Sequence, residues 1–297
     1  MKLACYGSLM ENINDSTGDP MEEMSSFDLS GLPEDFRNQS RIAVGTYSVP
    51  IVVNGELCGS GTLIRCGDTY GILTAHHVVK QLDFTANSDK KLYLSVADFP
   101  HRLTFEMRNL ASITIAEPVS DESGPDMAFI KFPPSAPLGE IKARKSFLDI
   151  SVVPETKLQE SLYDDGLWIV VGFPGQLVAS VGVSSSSTPA VCFRRIAFGV
   201  EQVVRSEFGE FDYLEILLDC PVKRWSLSSF GGMSGCGVWR VPIYRDGETK
   251  EFLYRNCYLA GIAFYQTEEA DNSRRLRCHG GRSIFVQGLK SLREAGY

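Results

Sequence analysis

From Arg41 onward the apolar residues fall into short β-branched runs separated by turn signals. Ile42-Ala43-Val44, Val49-Pro50-Ile51-Val52-Val53 and Gly61-Thr62-Leu63-Ile64 are such runs, with turns at Asn54-Gly55 and Gly67-Asp68. Tyr70 to Leu73, Lys91 to Ala97, Arg102 to Met107 and Met127 to Phe132 continue the pattern. It lapses from Pro133-Pro134 to about Gly166 and resumes at Leu167-Trp168-Ile169-Val170-Val171. Further strands are expected over Val191 to Val204, Tyr213 to Leu218, Gly237 to Val241, Tyr258 to Phe264 and Ser283 to Val286. Val183 to Pro189, with a run of serines, reads as a loop. Helical spacing occurs at Val286 to Arg293, near the C-terminus. Residues 1–40 differ: they are polar and acidic, with Glu11, Asp15, Asp19, Glu22 and Glu23, and read as a flexible or loosely docked extension. The pattern predicts an all-β chain. A first set of strands spans 41–135, a crossing segment 136–166, and a second set with a short C-terminal helix 167–297.

One stretch stands out chemically. Phe230-Gly231-Gly232-Met233-Ser234-Gly235-Cys236-Gly237 surrounds one serine with glycines. Such a turn can follow a φ > 0 path and let a substrate carbonyl approach main-chain N–H groups. Those of Gly232 and Ser234 are the candidate oxyanion donors. A serine needs a base and an orienting acid to become a nucleophile. Two segments offer them. Leu73-Thr74-Ala75-His76-His77-Val78-Val79 places histidines at the end of an apolar strand, and Pro125-Asp126-Met127-Ala128-Phe129-Ile130 places an aspartate at the head of another. Taken singly, a glycine-flanked serine is usually a turn, a strand-heading aspartate a solvated cap, and a histidine structural. Their joint occurrence favours a triad in the order His, Asp, Ser, which is the chymotrypsin order.

In that order and spacing the chain resembles trypsin-like serine peptidases of the chymotrypsin fold, and among them the non-secreted bacterial, HtrA-like branch. Leu73 to Val79 is similar to that branch's Thr, two residues, His, Val, Val. Asp126-Met127-Ala128 resembles its Asp-(Leu/Ile)-Ala, and Gly232-Met233-Ser234-Gly235 its Gly-x-Ser-Gly. Val171 to Gly175 is similar to the Gly-(Phe/Tyr/Asn)-Pro turn that often opens the second barrel, and Tyr258 to Ala263 to the strand after the nucleophile. The likeness runs from residue 42 to about residue 290. It implies two six-stranded antiparallel barrels with the triad in the cleft between them. Counted from Thr74, the catalytic position falls on His77, leaving His76 as a packed or solvated neighbour. The implied machinery is His77 as base, Asp126 as its orienting acid, Ser234 as nucleophile, and Gly232 and Ser234 as oxyanion hole, with no metal or organic cofactor.

The resemblance also bears on specificity and control. It puts the base of the primary pocket at Ser228, with Phe264 and Gln266 as pocket walls. Ser228 supplies no carboxylate for a basic P1 residue, so an apolar or small P1 is expected. The rival expectation is an acidic P1 met by His279; the preferred reading of His279 is a surface residue beside Gly280-Gly281. Met233 stands where secreted trypsins carry an aspartate that captures a new N-terminal amine. Activation by cleavage at Arg41-Ile42 is therefore not expected. The expectation is a member of that branch without the PDZ domain of HtrA proteins.

Composition narrows the setting. The 297 residues are 43% hydrophobic and 22% charged, ordinary for a globular chain. The net charge of −8 argues against general nucleic-acid binding. Arg274, Arg275, Arg277 and Arg282 form a local basic run that reads as a solvated loop. The eight cysteines lack metal spacing. Secreted trypsins pair a cysteine after the catalytic histidine, where this chain has Val78, and carry one before the nucleophile, where it has Phe230. Reduced thiols and a cytoplasmic location are expected. Met1 to Gly7 has no apolar signal region and no run reaches membrane-spanning length. The expected function is a serine endopeptidase acting on a protein or peptide, through restricted processing and with a possible regulatory partner. The alternatives are a catalytically silent peptide-binding module and an esterase of the same fold.

Overall fold

The computed structural model describes residues 22–23, 31–53, 55–82, 89–94, 103–118, 124–152, 166–181, 190–219, 229–249, 251–268 and 274–297. The chain is mostly β and is built around two antiparallel sheets. After the short β1 (Glu22–Glu23) comes helix α1 (Glu34–Gly45). The N-terminal sheet holds β2 (Ser48–Val53), β3 (Glu56–Cys66), β4 (Thr69–Thr74), β5 (Lys91–Leu94), β6 (Leu103–Glu106), β7 (Ala111–Ala116) and β8 (Met127–Lys131). Helix α2 (His76–Leu82) follows β4 directly. Helix α3 (Leu138–Lys142) and β9 (Leu148–Asp149), which pairs parallel to β3, lie in the crossing segment.

The C-terminal half contains β10 (Gly166–Gly172), the hairpin β11 (Val178–Val181) and β12 (Ala190–Phe193), and the long pair β13 (Ile196–Phe208) and β14 (Phe211–Asp219). Next come β15 (Gly237–Pro242), the short β16 (Tyr244–Arg245) and β17 (Phe252–Leu253), β18 (Tyr258–Glu268) and β19 (Arg274–His279). A wide helical turn, Ser283–Gly288, runs into α4 (Leu289–Glu294).

Six of these strands close on themselves in the order β13-β10-β15-β18-β19-β14, because β14 pairs back onto β13. This is a barrel. The N-terminal sheet has the order β6-β5-β2-β3-β4-β8-β7, and among the described residues β6 and β7 do not pair. The expected first barrel is thus an open, half-barrel sheet here, since closure needs its two edge strands to meet. The architecture is compatible with a chymotrypsin-like fold.

Apolar residues from both halves share one core. Ile64, Leu73, Met127 and Phe129 from the first sheet pack with Ile169, Val171, Trp239 and Ile262 from the barrel. The Tyr47 and Trp239 rings lie 4.7 Å apart between centroids. Burial of side chains this large contributes about 1.5–3 kcal/mol each. The two halves are held in register by that shared core, which fixes the cleft between them.

Four local expectations are corrected. Ile42-Ala43-Val44 ends helix α1 instead of forming a strand, so the boundary at residue 41 falls inside a helix. The cause is visible in the chain: Pro33 precedes the helix, Glu34 and Asp35 occupy its first turn, and Phe36, Ser40 and Val44 at four-residue spacing are buried. Arg274, Arg275 and Arg277 of the arginine run lie on strand β19, where buried Leu276 and Cys278 alternate with partly exposed Arg275 and Arg277, a period of two; Arg282 precedes the helical turn. Ser283–Val286 is helical, because the Asp212 carboxylate accepts the N–H groups of Ser283 at 2.6 Å and Arg282 at 3.1 Å where the turn starts. The expected single strand Val191 to Val204 is split between β12 and β13. Strand β7 was not foreseen. The serine loop and the first 21 residues lie outside the described residues.

Candidate active site

Two tight turns and one strand end bring the candidate residues together. Strand β4 stops at Thr74, and His77 enters helix α2 two residues after Ala75. Asp126 directly precedes β8, which is paired with β4. This pairing sets the two side chains against each other. The His77 Nδ1 meets Asp126 Oδ2 at 2.5 Å, and the His77 main-chain N–H donates to Asp126 Oδ1 at 2.9 Å. An ionised carboxylate only accepts, so Nδ1 carries a proton and Nε2 is the ring nitrogen turned away from Asp126. Asp126 is 2% exposed and His77 31%. Burial pushes the Asp126 carboxyl upward, but the hydrogen bonds and charge of His77 outweigh it and hold the group below its ordinary value. His76, the expected neighbour, is buried and its Nδ1 has no partner among the described residues.

The serine turn is built from glycines because nothing else fits. Gly232 has φ +89° and Gly235 φ +86°. A Cβ on Gly235 would stand 2.0 Å from Thr74 Oγ1 and 2.1 Å from the Ser60 carbonyl oxygen. One on Gly232 would meet the Phe173 carbonyl oxygen at 2.7 Å. Main-chain amides in the turn are used selectively. Those of Met233, Gly235 and Cys236 donate to the carbonyls of Phe230, Ala263 and Met233 at 2.9, 2.7 and 2.9 Å. The amides of Gly232 and Ser234, the candidate oxyanion donors, meet no acceptor among the described residues.

Ser60 ties this turn to the first sheet. Its hydroxyl donates to the Gly232 carbonyl at 2.7 Å and accepts the Phe173 N–H at 3.0 Å, while its own N–H donates to the Ser234 carbonyl at 2.8 Å. The Gly172-Phe173-Pro174-Gly175 turn adds a bond from the Gly175 N–H to the Gly231 carbonyl at 2.7 Å. That motif therefore supports the serine turn from behind. Sequence reasoning missed Ser60, which sits in an unremarkable glycine-flanked position of β3.

His77, Ser234, Gly231, Met233, Phe264 and Gln266 share the lining of a single cavity of about 410 Å3. Phe264 and Gln266, the expected pocket walls, line this cavity together with Ser234. Ser228 lies outside the described residues. No family model matches the chain, and no curated protein does. Among solved structures, one similar chain belongs to the structure described as "Aromatic interactions drive the coupled folding and binding of the intrinsically disordered Sesbania mosaic virus VPg protein". It is 14% identical, with 81% of this chain and 88% of that chain covered, at a TM-score of 0.37. A likeness at that level carries no functional argument.

His279 is neither a surface residue nor a cavity wall. It is fully buried on β19, where its Nε2 accepts the Asp126 main-chain N–H at 2.9 Å. Its ring stacks on Phe264 with centroids 4.6 Å apart and an interplanar angle of 30°. Burial pulls its pKa down to about 4; the carboxylates of Asp126 and Asp212 oppose this without restoring it. The acidic-P1 expectation loses its residue, since this imidazole faces Asp126. The glycines after it gave a turn signal that hid the period-two strand before it. Among the described residues no cluster of His, Cys, Asp and Glu has the makings of a metal site, and no helix is long and apolar enough to cross a membrane.

Proposed function

We propose that this chain is a serine endopeptidase that cleaves peptide bonds through an acyl-enzyme. The supporting observation is that His77, whose Nδ1 is held by the buried Asp126, lines a cavity that Ser234 also lines. In this reading His77 Nε2 takes the Ser234 hydroxyl proton as Oγ attacks the scissile carbonyl. Asp126 stays ionised, fixes the imidazole tautomer and stabilises the imidazolium. The Gly232 and Ser234 amides receive the oxyanion; loss of one such donor typically costs about 100- to 1000-fold in rate. The imidazolium returns its proton to the leaving amine, and water repeats the cycle on the ester. The chemistry needs no cofactor.

The described cysteines, Cys58, Cys66, Cys236, Cys257 and Cys278, are free thiols, which suits a reducing, cytoplasmic setting. In such a setting restricted processing of a partner protein fits better than digestion. The test is incubation with a peptide library followed by mass spectrometry. Products that appear with the wild-type chain and vanish with Ser234→Ala support the reading. Products that persist undiminished in Ser234→Ala contradict it.

A further inference from the structure

The wall of the cavity carries one side chain whose orientation is dictated by its partner. Phe230 N–H points at the Gln266 side chain and lies 2.7 Å from its oxygen Oε1. A main-chain N–H only donates, so the carboxamide must present its oxygen there. The NH2 end is then forced to the other side of the group. It meets no protein acceptor among the described residues, and Gln266 is only partly buried and lines the cavity. Gln266 is two residues beyond Phe264 on β18, and both line the cavity together with Leu276, the β19 partner of Gln266. The cavity thus offers an apolar wall of Phe264, Ala263 and Leu276 and, at Gln266, one fixed donor that meets no acceptor among the described residues.

We infer that Gln266 selects substrates whose side chain in this cavity carries an oxygen acceptor on an aliphatic stem, glutamine or asparagine at P1, over apolar and basic side chains. This rests on the peptidase reading and replaces its apolar-or-small P1 with a polar one. The stem packs on Phe264 and Leu276. The carbonyl oxygen accepts from the Gln266 NH2 group. A hydrogen-bonding site rejects an analogue that leaves its polar group unpaired more strongly than an apolar wall rejects a change of shape. Phe230 holds the carboxamide in place, so little rotamer entropy is lost on binding. An arginine or lysine at P1 would set donor against donor.

The experiment uses the full chain and a peptide library randomised at one position, with cleavage products counted by mass spectrometry. Glutamine is compared with methionine, which has nearly the same length and volume but no acceptor. The expected result is a preference for glutamine over methionine of about tenfold, the value of one net hydrogen bond. Gln266→Glu keeps an oxygen for the Phe230 N–H and turns a second oxygen into the cavity. It should raise cleavage after lysine and arginine, while glutamine, which can turn its own NH2 group to the new oxygen, remains a substrate. Gln266→Leu should bring glutamine and methionine to parity. Equal wild-type cleavage after glutamine and methionine overturns the inference while leaving the peptidase reading intact, and so does a Gln266→Glu profile identical to wild type. No cleavage of any peptide overturns both.

Discussion

The main-chain N–H of Asp126 donates to Nε2 of His279 across 2.9 Å, so the acid of the candidate triad is anchored from below by a second, buried imidazole. The donor can only be the amide, and His279 must be neutral to accept it. The same imidazole stacks on Phe264, whose other side faces the cavity. The floor of the binding space and the seat of Asp126 are one packed unit.

This arrangement makes stability depend on acid. The groups around His279 are Asp126, Asp212, Arg277 and the Tyr213 ring. Its folded pKa is about 4 against an ordinary 6.5. Between those values the unfolded chain binds the proton and the folded chain does not. Stability from this group is complete above pH 6.5, falls as pH drops toward 4, and changes no further below. The loss is on the order of 3 kcal/mol. Urea unfolding at intervals across that window should show the slope in the wild type. His279→Asn keeps an acceptor for Asp126 and does not titrate, so its slope should be much shallower. An unchanged slope would show that other groups dominate.

Much of the site was legible because its chemistry is local in sequence. The glycines around Ser234 announced a turn no other residue fits, and His77 and Asp126 head segments whose strand character was plain. Register alone pointed to His77 over His76 as the histidine that meets Asp126. What stayed hidden depends on long-range contacts. Ser60 lies 172 residues from Gly232, and His279 lies 153 from Asp126, and nothing local marks either as a partner. Helix α1 was misread because Ile42 and Val44 are β-branched. Val44 is buried, whereas Ile42 is 65% exposed and points away from the core. Tertiary burial of Phe36 and Val44 overrode strand propensity there. The open edge of the first sheet could not be read from strand count.

Ser60→Ala removes both the donor to Gly232 and the acceptor for Phe173. It should destabilise the chain by about 1–3 kcal/mol and lower turnover more than binding, because the serine turn loses its brace. Thermal unfolding and steady-state kinetics check this; wild-type turnover would show that the turn stands without it.

Gly235→Ala forces a Cβ into the Ser60 carbonyl at a φ of +86°. A loss of about 3 kcal/mol or more is expected, with activity falling alongside. Gly247, with open space around it, is the control: Gly247→Ala should unfold like the wild type.

A chain beginning at Ile42 should be less stable than the full chain and no more active. It loses Leu32, Phe36 and Ser40, which are buried, and Met233 offers no carboxylate for the new amine. Differential scanning calorimetry and active-site labelling decide this; labelling that requires a free Ile42 amine would refute it.

Cys236 and Cys278 are fully buried and burial raises both thiols, so native alkylation should be slow at each. Under denaturing, non-reducing conditions the chain should take up one label per cysteine. A protected pair would contradict the free-thiol chemistry.

The central claim is that Ser234 is a nucleophile activated by His77. A fluorophosphonate probe reports it directly, because it bonds only to an activated serine. The account predicts one adduct on wild-type protein, mapped by mass spectrometry to Ser234. The adduct should be absent in Ser234→Ala, nearly absent in His77→Ala and largely kept in His76→Ala. A wild-type chain that takes no adduct while folded, or a Ser234→Ala chain that takes it equally, would contradict the account.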